Sequence, residues 1–189
     1  TPAVHLFTQS GGKLKFRDED KVFIPKVYTS KQISIGSCNG DFELDEIIKN
    51  LSSSLKNFLE IEKTDIDSLN IKCSKETNKK NIWLMPSDKV IGKTKPFVDF
   101  QNDVTAKDIK LALREGFRSI EHVKRYTTTG MGTDQGKLGN MHALGIIADT
   151  SSVKMGELGT TTFRPPYTPL TFGTIVGRNV GDFFDIFRR

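Results

Sequence analysis

Residues 104–150 read "VTAKDIKLALREGFRSIEHVKRYTTTGMGTDQGKLGNMHALGIIADT", and this stretch leaves its backbone few options. Thr105 with Asp108 three residues on is a helix-start pattern. Ile109, Ala112 and Leu113 then share one face, and Gly116 fits the C-terminal cap. Ser119 starts a second helix in which Ile120, Val123 and Tyr126 are expected to pack. "NMHALGIIADT" reads as a third helix. Between the second and third lies "RYTTTGMGTDQGKLGN", Arg125 to Asn140, too rich in Thr and Gly to continue either one. The expected unit is a small helical module with one long, built loop.

The loop invites two chemical readings. A phosphate-binding loop needs G-x-x-x-x-G-K-[ST] after a strand. Here Met131 stands where the first glycine is required, Leu138 replaces the hydroxyl residue, and a helix precedes. A nucleoside-triphosphatase is therefore excluded. A metal-binding loop needs ligands, and the chain has two cysteines, Cys38 and Cys73, at neither zinc nor C-x-x-C spacing. They read as free thiols of a reducing compartment. His5, His122 and His142 lie far apart in sequence, and each reads as a surface or packing histidine. No Ser/His/Asp or Cys/His set marks a catalytic centre.

Upstream, residues 3–9 and 22–28 read as short strands around a polar turn, "SGGKLKFRDED". "ISIG" reads as a strand ending in Gly36. "SCNGDFELDEIIKNLSSSLKNFL" then has Phe42, Ile47, Leu51, Leu55 and Phe58 near helical spacing. A strand that ends in small residues and feeds a helix leaves backbone N–H groups aimed at an anion such as a dinucleotide phosphate. An ordinary helix start gives the same pattern. Residues 60–95 are polar and read as a linker, with "NIWLM" strand-like or docked. From Gly156 the chain is rich in Thr, Gly and Pro, which predicts an extended connector laid over other surfaces rather than regular helix.

At 189 residues and 36% apolar content the chain can build one medium domain or two small ones. It has no apolar run long enough to cross a bilayer and no signal-like opening, so a cytoplasmic location without membrane contact is expected. The net charge of +5 is thin and spread over both halves, without a Lys/Arg block, which argues against nucleic acid. Both ends read as cut from a longer protein.

Two resemblances bring these pieces together. Residues 97–140 resemble the small [2Fe-2S] module related to bacterioferritin-associated ferredoxin, which carries C-x-C before its first helix and C-x-x-x-x-C at its third. Asp99 and Gln101 fall at the first pair, Asp134 and Gly139 at the second. None is a thiolate, so no cluster is expected. More extensively, "TPAVHLFTQSGGKLKF", "GSCNGDFEL", "GFRSIEHVKRYTTTGMGTDQGK" and "GTTTFRPPYTPLTFGTIVG" resemble, in this order, the alpha subunits of heterotetrameric sarcosine oxidases. The resemblance covers nearly the whole chain except residues 60–95.

What the resemblance implies is an α/β plus α chain. Residues 1–59 would be the tail of an NAD-binding domain, 60–95 a polar linker, 96–150 the cluster-free helical module, and 151–189 the connector into a folate-binding, aminomethyltransferase-like domain. The implied enzyme demethylates sarcosine oxidatively to glycine, forming hydrogen peroxide and methylenetetrahydrofolate. Its implied cofactors are NAD, tetrahydrofolate, FMN at the alpha–beta interface, and FAD in the beta subunit. Its implied partners are beta, gamma and delta subunits. Gly36, Ser37, Asn39, Gly40 and Phe42 would lie near NAD. Lys124, Arg125, Thr127, Thr128 and Lys137 would face FMN, or would only cap helices and brace the subunit contact. A related imino-acid or opine oxidase complex and a purely structural interaction module are the alternatives. The four positions without cysteine favour the sarcosine oxidase branch, and the substrate pocket is expected outside these residues.

Overall fold

The computed structural model describes residues 3–60, 62, 69, 71, 81–89, 93–166 and 168–177. The core is built where the sequence pattern is strongest. Helix α3 (Ala106–Arg114), helix α4 (Ile120–Thr127) and helix α5 (Asn140–Ser151) pack their apolar faces together. Ile109, Val123, Leu144 and Ile147 are fully buried there. Burying one such side chain contributes about 1.5–3 kcal/mol against solvent exposure. The ends are set as the residues dictate. Asp108 Oδ2 accepts from the Thr105 backbone N–H at 2.8 Å and from its hydroxyl at 2.7 Å, and the Ser119 hydroxyl accepts from His122 N–H at 3.2 Å. Gly116, at φ +98°, follows the last turn of α3. Tyr126 does not enter the core as expected. It is exposed and lies against Phe117, ring centres 4.7 Å apart.

Two short antiparallel hairpins flank this module. β1 (Lys13–Arg17) pairs with β2 (Val22–Val27), and β3 (Phe97–Asp99) with β4 (Val104–Thr105). Among the described residues these two-stranded ladders are the only sheets. The first hairpin corrects two expectations. The supposed polar turn contains β1, whose Lys13, Lys15 and Arg17 alternate with inward Leu14 and Phe16. Phe16 meets Phe23 of β2 at 5.0 Å. The supposed strand over 3–9 is helix α1 (His5–Gln9) instead. Val4 and Phe7 are buried while Leu6 is exposed, which is helical spacing rather than alternation.

"ISIG" is likewise not a strand. Gly36–Asn39 forms one 3₁₀ turn closed by Gly40 at φ +86°, and helix α2 (Leu44–Leu59) begins only after it. Ile47, Leu51, Leu55 and Phe58 do lie on α2, while Phe42 precedes it. In the polar stretch after α2, Trp83 docks on α5, where Gly145 leaves room for the indole: a Cβ there would come within 2.2 Å of it. "NIWLM" is thus docked and not a strand. The Thr/Gly/Pro segment holds more helix than its composition predicts. Helix α6 (Met155–Leu158) buries Met155, and helix α7 (Phe172–Val176) has its Thr171 hydroxyl accepting from Thr174 N–H. Among the described residues between them none lies in a helix or strand. Tyr167 and residues 178–189 of the expected connector, and Cys73 with most of 63–80, lie outside the described residues.

Candidate functional site

The loop from Thr128 to Gly139 is shaped by its own sequence. Thr128 leaves α4 in the left-handed region at φ 64°, and Gln135 adopts it at φ 52°. Gly130 and Gly136 are needed for a packing reason. A Cβ on either would sit within 2.4 Å and 2.1 Å of Asn140 Oδ1. Asn140 in turn ties the loop to the following chain, donating to Gln135 O at 3.1 Å and to the Thr161 hydroxyl at 3.2 Å.

The loop is stitched to the end of β3 and the turn after it by three side chains, of which Asn102 donates through Nδ2 to Thr128 O at 3.2 Å. Asp99 is buried. Its Oδ1 accepts from the backbone N–H of Gln101 and Asn102 at 2.9 and 3.1 Å, and its Oδ2 from Gly130 N–H at 2.7 Å and Asn102 Nδ2 at 3.2 Å. Burial alone would raise its pKa. The hydrogen bonds from Gly130, Asn102 and Gln101 outweigh that and hold the carboxyl below its ordinary value. Gln101 Oε1 accepts from Thr133 N–H at 2.7 Å and from its hydroxyl at 3.0 Å. Asp134 accepts from Gly136 N–H at 3.0 Å. Gly139 lies against the Val98 carbonyl, where a Cβ would approach to 2.5 Å. Asp99, Gln101 and Gly139 thus belong to one contact between turn and loop, while Asp134 bonds within the loop. Hydrogen bonds link the two sides of the contact. No group of His, Cys, Asp or Glu able to hold a metal ion occurs among the described residues.

This stitching decides how the loop can meet a phosphate. The N–H groups of Gly130, Met131, Thr133, Gln135, Gly136 and Lys137 all bond within the protein. At those six positions a phosphate would be met by side chains and not by backbone N–H groups. The Thr127 hydroxyl donates to Val123 O at 2.7 Å and the Thr128 hydroxyl to Thr127 O at 2.6 Å, so both close the end of α4. Lys124 and Arg125 occupy the last turn of α4. Lys137 lies elsewhere, on the wall of an apolar cavity shared with His5. Around the loop, large apolar side chains face solvent. Phe100 is 79% exposed, Leu138 82% and Met131 48%, and Phe97 lies 5.9 Å from Phe100, ring to ring.

The second predicted site takes a different form from the one expected. Gly36 is buried, Ser37 exposed, Asn39 half-buried and Phe42 exposed. Two of the N–H groups expected to point at an anion bond locally: Gly40 N–H to Ser37 O at 3.1 Å and Asp41 N–H to Gly36 O at 3.1 Å. Gly40 is packed under Arg17, which donates to its carbonyl. Without a strand feeding α2, the physical premise for a phosphate at a strand-to-helix turn is missing here. The histidines behave as packing or surface groups. His5 stacks edge-on with Phe163 at 4.1 Å, and burial, then the charge of Lys137, hold its pKa below the ordinary value. His142 Nδ1 lies 3.2 Å from Trp83 O, and His122 is exposed.

Sequence reasoning missed the clasp over the segment that follows α6. Gln135 Nε2 donates to Arg164 O and Pro166 O at 2.7 and 3.1 Å, and Gln135 Oε1 accepts from Arg164 N–H at 2.8 Å. Gln9 Nε2 also donates to Arg164 O, at 3.1 Å. A glutamine, whether in a loop like Gln135 or at the end of a helix like Gln9, carries no signature of a partner far along the chain.

Comparison with known proteins places this geometry. Residues 93–178 match the family described as the sarcosine oxidase A3 domain. The alpha subunit of a sarcosine oxidase from Rhizobium meliloti (strain 1021) is 53% identical over 108 residues, 57% of this chain and 10% of that protein. The corresponding subunit of Corynebacterium sp. (strain P-1) is 34% identical over 194 residues, 97% of this chain and 20% of that protein. An opine oxidase subunit of Rhizobium meliloti (strain 1021) is 36% identical over 73 residues, 39% of this chain and 16% of that protein. The L-proline dehydrogenase of P. horikoshii shares the fold over 91% of this chain and 36% of its own, with a TM-score of 0.55 at 18% identity. The chain thus spans a fifth or less of the sarcosine oxidase subunits it matches. Over nearly all its length the chain is similar to sarcosine oxidase alpha subunits, and its residues 93–178 match the sarcosine oxidase A3 domain.

Proposed function

We propose that this chain is a non-catalytic part of the alpha subunit of a flavin-dependent sarcosine oxidase complex, and that its loop end docks on a flavin-bearing partner subunit. The carrying observation is the rim of exposed apolar side chains, Phe97, Phe100, Met131 and Leu138, around a loop fixed in shape by Asp99 and Gln101. Exposed aromatic and aliphatic groups on a rigid support are what an interface core requires. The proposed whole enzyme oxidatively demethylates sarcosine to glycine, with hydrogen peroxide and methylenetetrahydrofolate as further products. FAD in the beta subunit carries the oxidation, FMN lies between alpha and beta, and gamma and delta subunits complete a cytoplasmic assembly. Tetrahydrofolate binds in a further domain of the alpha subunit.

Toward FMN this chain offers Lys124, Arg125 and Lys137 as cations, with Thr127 and Thr128 as hydroxyl acceptors at the end of α4. Gly36, Ser37, Asn39, Gly40 and Phe42 belong to the same reading as neighbours of NAD, with the backbone contributing less than a phosphate-binding turn would. Lys137→Ala in the assembled complex tests the flavin contact, with FMN counted per complex after gel filtration. FMN content is expected to fall. Unchanged content would remove Lys137 from the flavin and leave the loop as a brace between subunits. The second reading, an opine oxidase complex, is favoured by the similarity to the opine oxidase of Rhizobium meliloti. Turnover of an opine but not of sarcosine by the complex would establish it.

A further inference from the structure

An open groove of about 470 Å³ lies between residues 84–89 and residues 94–96. That is the size of a site for a small molecule. Both walls are anchored on the helical module. The first follows Trp83, whose carbonyl lies 3.2 Å from His142 Nδ1 on α5, and its Leu84 packs against the core. The second ends at Pro96, whose carbonyl accepts from Ala106 N–H at the start of α3, at 2.9 Å.

The lining divides by chemistry. Leu84, Met85 and Pro86 supply an apolar side. Lys89 and Lys95 supply two cations, one from each wall, and Ser87 and Thr94 add one hydroxyl each. No Asp or Glu lines the groove, and Asp88 and Lys93, exposed on the same stretches, stay outside it. Neither Lys89 nor Lys95 has an ion-pair partner among the described residues. Two cations without a counter-ion match a compact ligand of about two negative charges. A phosphate monoester carries a charge of about −1.5 to −2 near neutral pH, with three strong acceptor oxygens. Those oxygens suit two lysines and two hydroxyl donors. A single carboxylate would leave one lysine unmatched.

We propose that this groove binds a small phosphate monoester, its phosphate between Lys89 and Lys95 and its organic body against Leu84 and Met85. The site shares no residue with the proposed NAD and FMN contacts and does not rest on them.

Lysine acetylation by N-hydroxysuccinimidyl acetate, mapped residue by residue by mass spectrometry on the intact protein that carries this chain, tests the proposal. Phenyl phosphate is the probe, benzoate its singly charged counterpart and benzyl alcohol its neutral one. Acetylation of Lys89 and Lys95 is expected to slow by about threefold or more with phenyl phosphate, the protection a ligand gives at about twice its Kd. Lys13 and Lys15, exposed on β1 away from the groove, should react at an unchanged rate. Lys95→Gln should abolish the protection of Lys89, and Lys95→Arg should retain it. Absence of protection, equal protection by benzoate or benzyl alcohol, equal protection of Lys13 and Lys15, or protection of Lys89 that survives Lys95→Gln would each overturn the proposal. So would a Lys89 and Lys95 that resist acetylation without any ligand, since the groove would then be closed.

Discussion

Asp99 shows how one side chain can decide the shape of a loop. Its carboxylate accepts from three backbone N–H groups, one of them 31 residues away on Gly130. Asp99→Ala leaves those donors without their acceptor, at a cost of about 1–3 kcal/mol. The same substitution has a pH signature. The folded protein holds the Asp99 proton more weakly than the unfolded chain does, since its pKa is lowered. Its contribution is therefore complete above an ordinary aspartate pKa of about 3.9, and is lost as pH falls through the lower folded value. In urea denaturation, wild type and Asp99→Ala should differ clearly at pH 7 and converge as the medium becomes strongly acidic. A gap that stays constant with pH would show that Asp99 acts through packing alone. The resemblance placed Asp99, Gln101, Asp134 and Gly139 at related positions of one module, and the structure brings Asp99, Gln101 and Gly139 into one contact while Asp134 bonds within the loop. Their bonding was not legible, because a carboxylate accepting from a distant backbone leaves no periodic trace.

At the level of elements, legibility followed locality. The starts of α3 and α4 could be read because a cap and its partner lie three residues apart, as in Thr105 with Asp108. β1 was hidden because Lys13, Lys15 and Arg17 make an alternating strand look like a polar turn. α1 was misread because five residues hold too little periodicity to separate helix from strand. The 3₁₀ turn at Gly36–Asn39 matters most for function. It presents Ser37 to solvent while Gly40 and Asp41 bond inward. If this turn passes close to the pyrophosphate of NAD, a negative charge at its exposed corner must repel the ligand. Ser37→Asp is expected to weaken NAD binding to the assembled complex about tenfold, equal to about 1.4 kcal/mol. Isothermal titration reads this directly, and an unchanged dissociation constant would take the turn out of the NAD site.

At the scale of the whole molecule, the described residues bury one core and leave a different kind of surface at the loop end. α3, α4 and α5 supply the core, and the first hairpin and α6 close over it through Phe23 and Met155. Phe100 and Leu138 contribute nothing to that core, being 79% and 82% exposed. Their loss should therefore cost the isolated fold little, while a charge at either position would be buried unpaired in an interface. This separates folding from assembly in one experiment. For the double variant Phe100→Asp, Leu138→Asp, the melting temperature of the alpha subunit should shift by only a few degrees, about 1 kcal/mol or less. Its association with the other subunits, read by sedimentation velocity, should weaken at least tenfold. A complex that assembles normally with both charges in place would show that the partner subunit binds elsewhere, and that the loop end faces solvent in the finished enzyme.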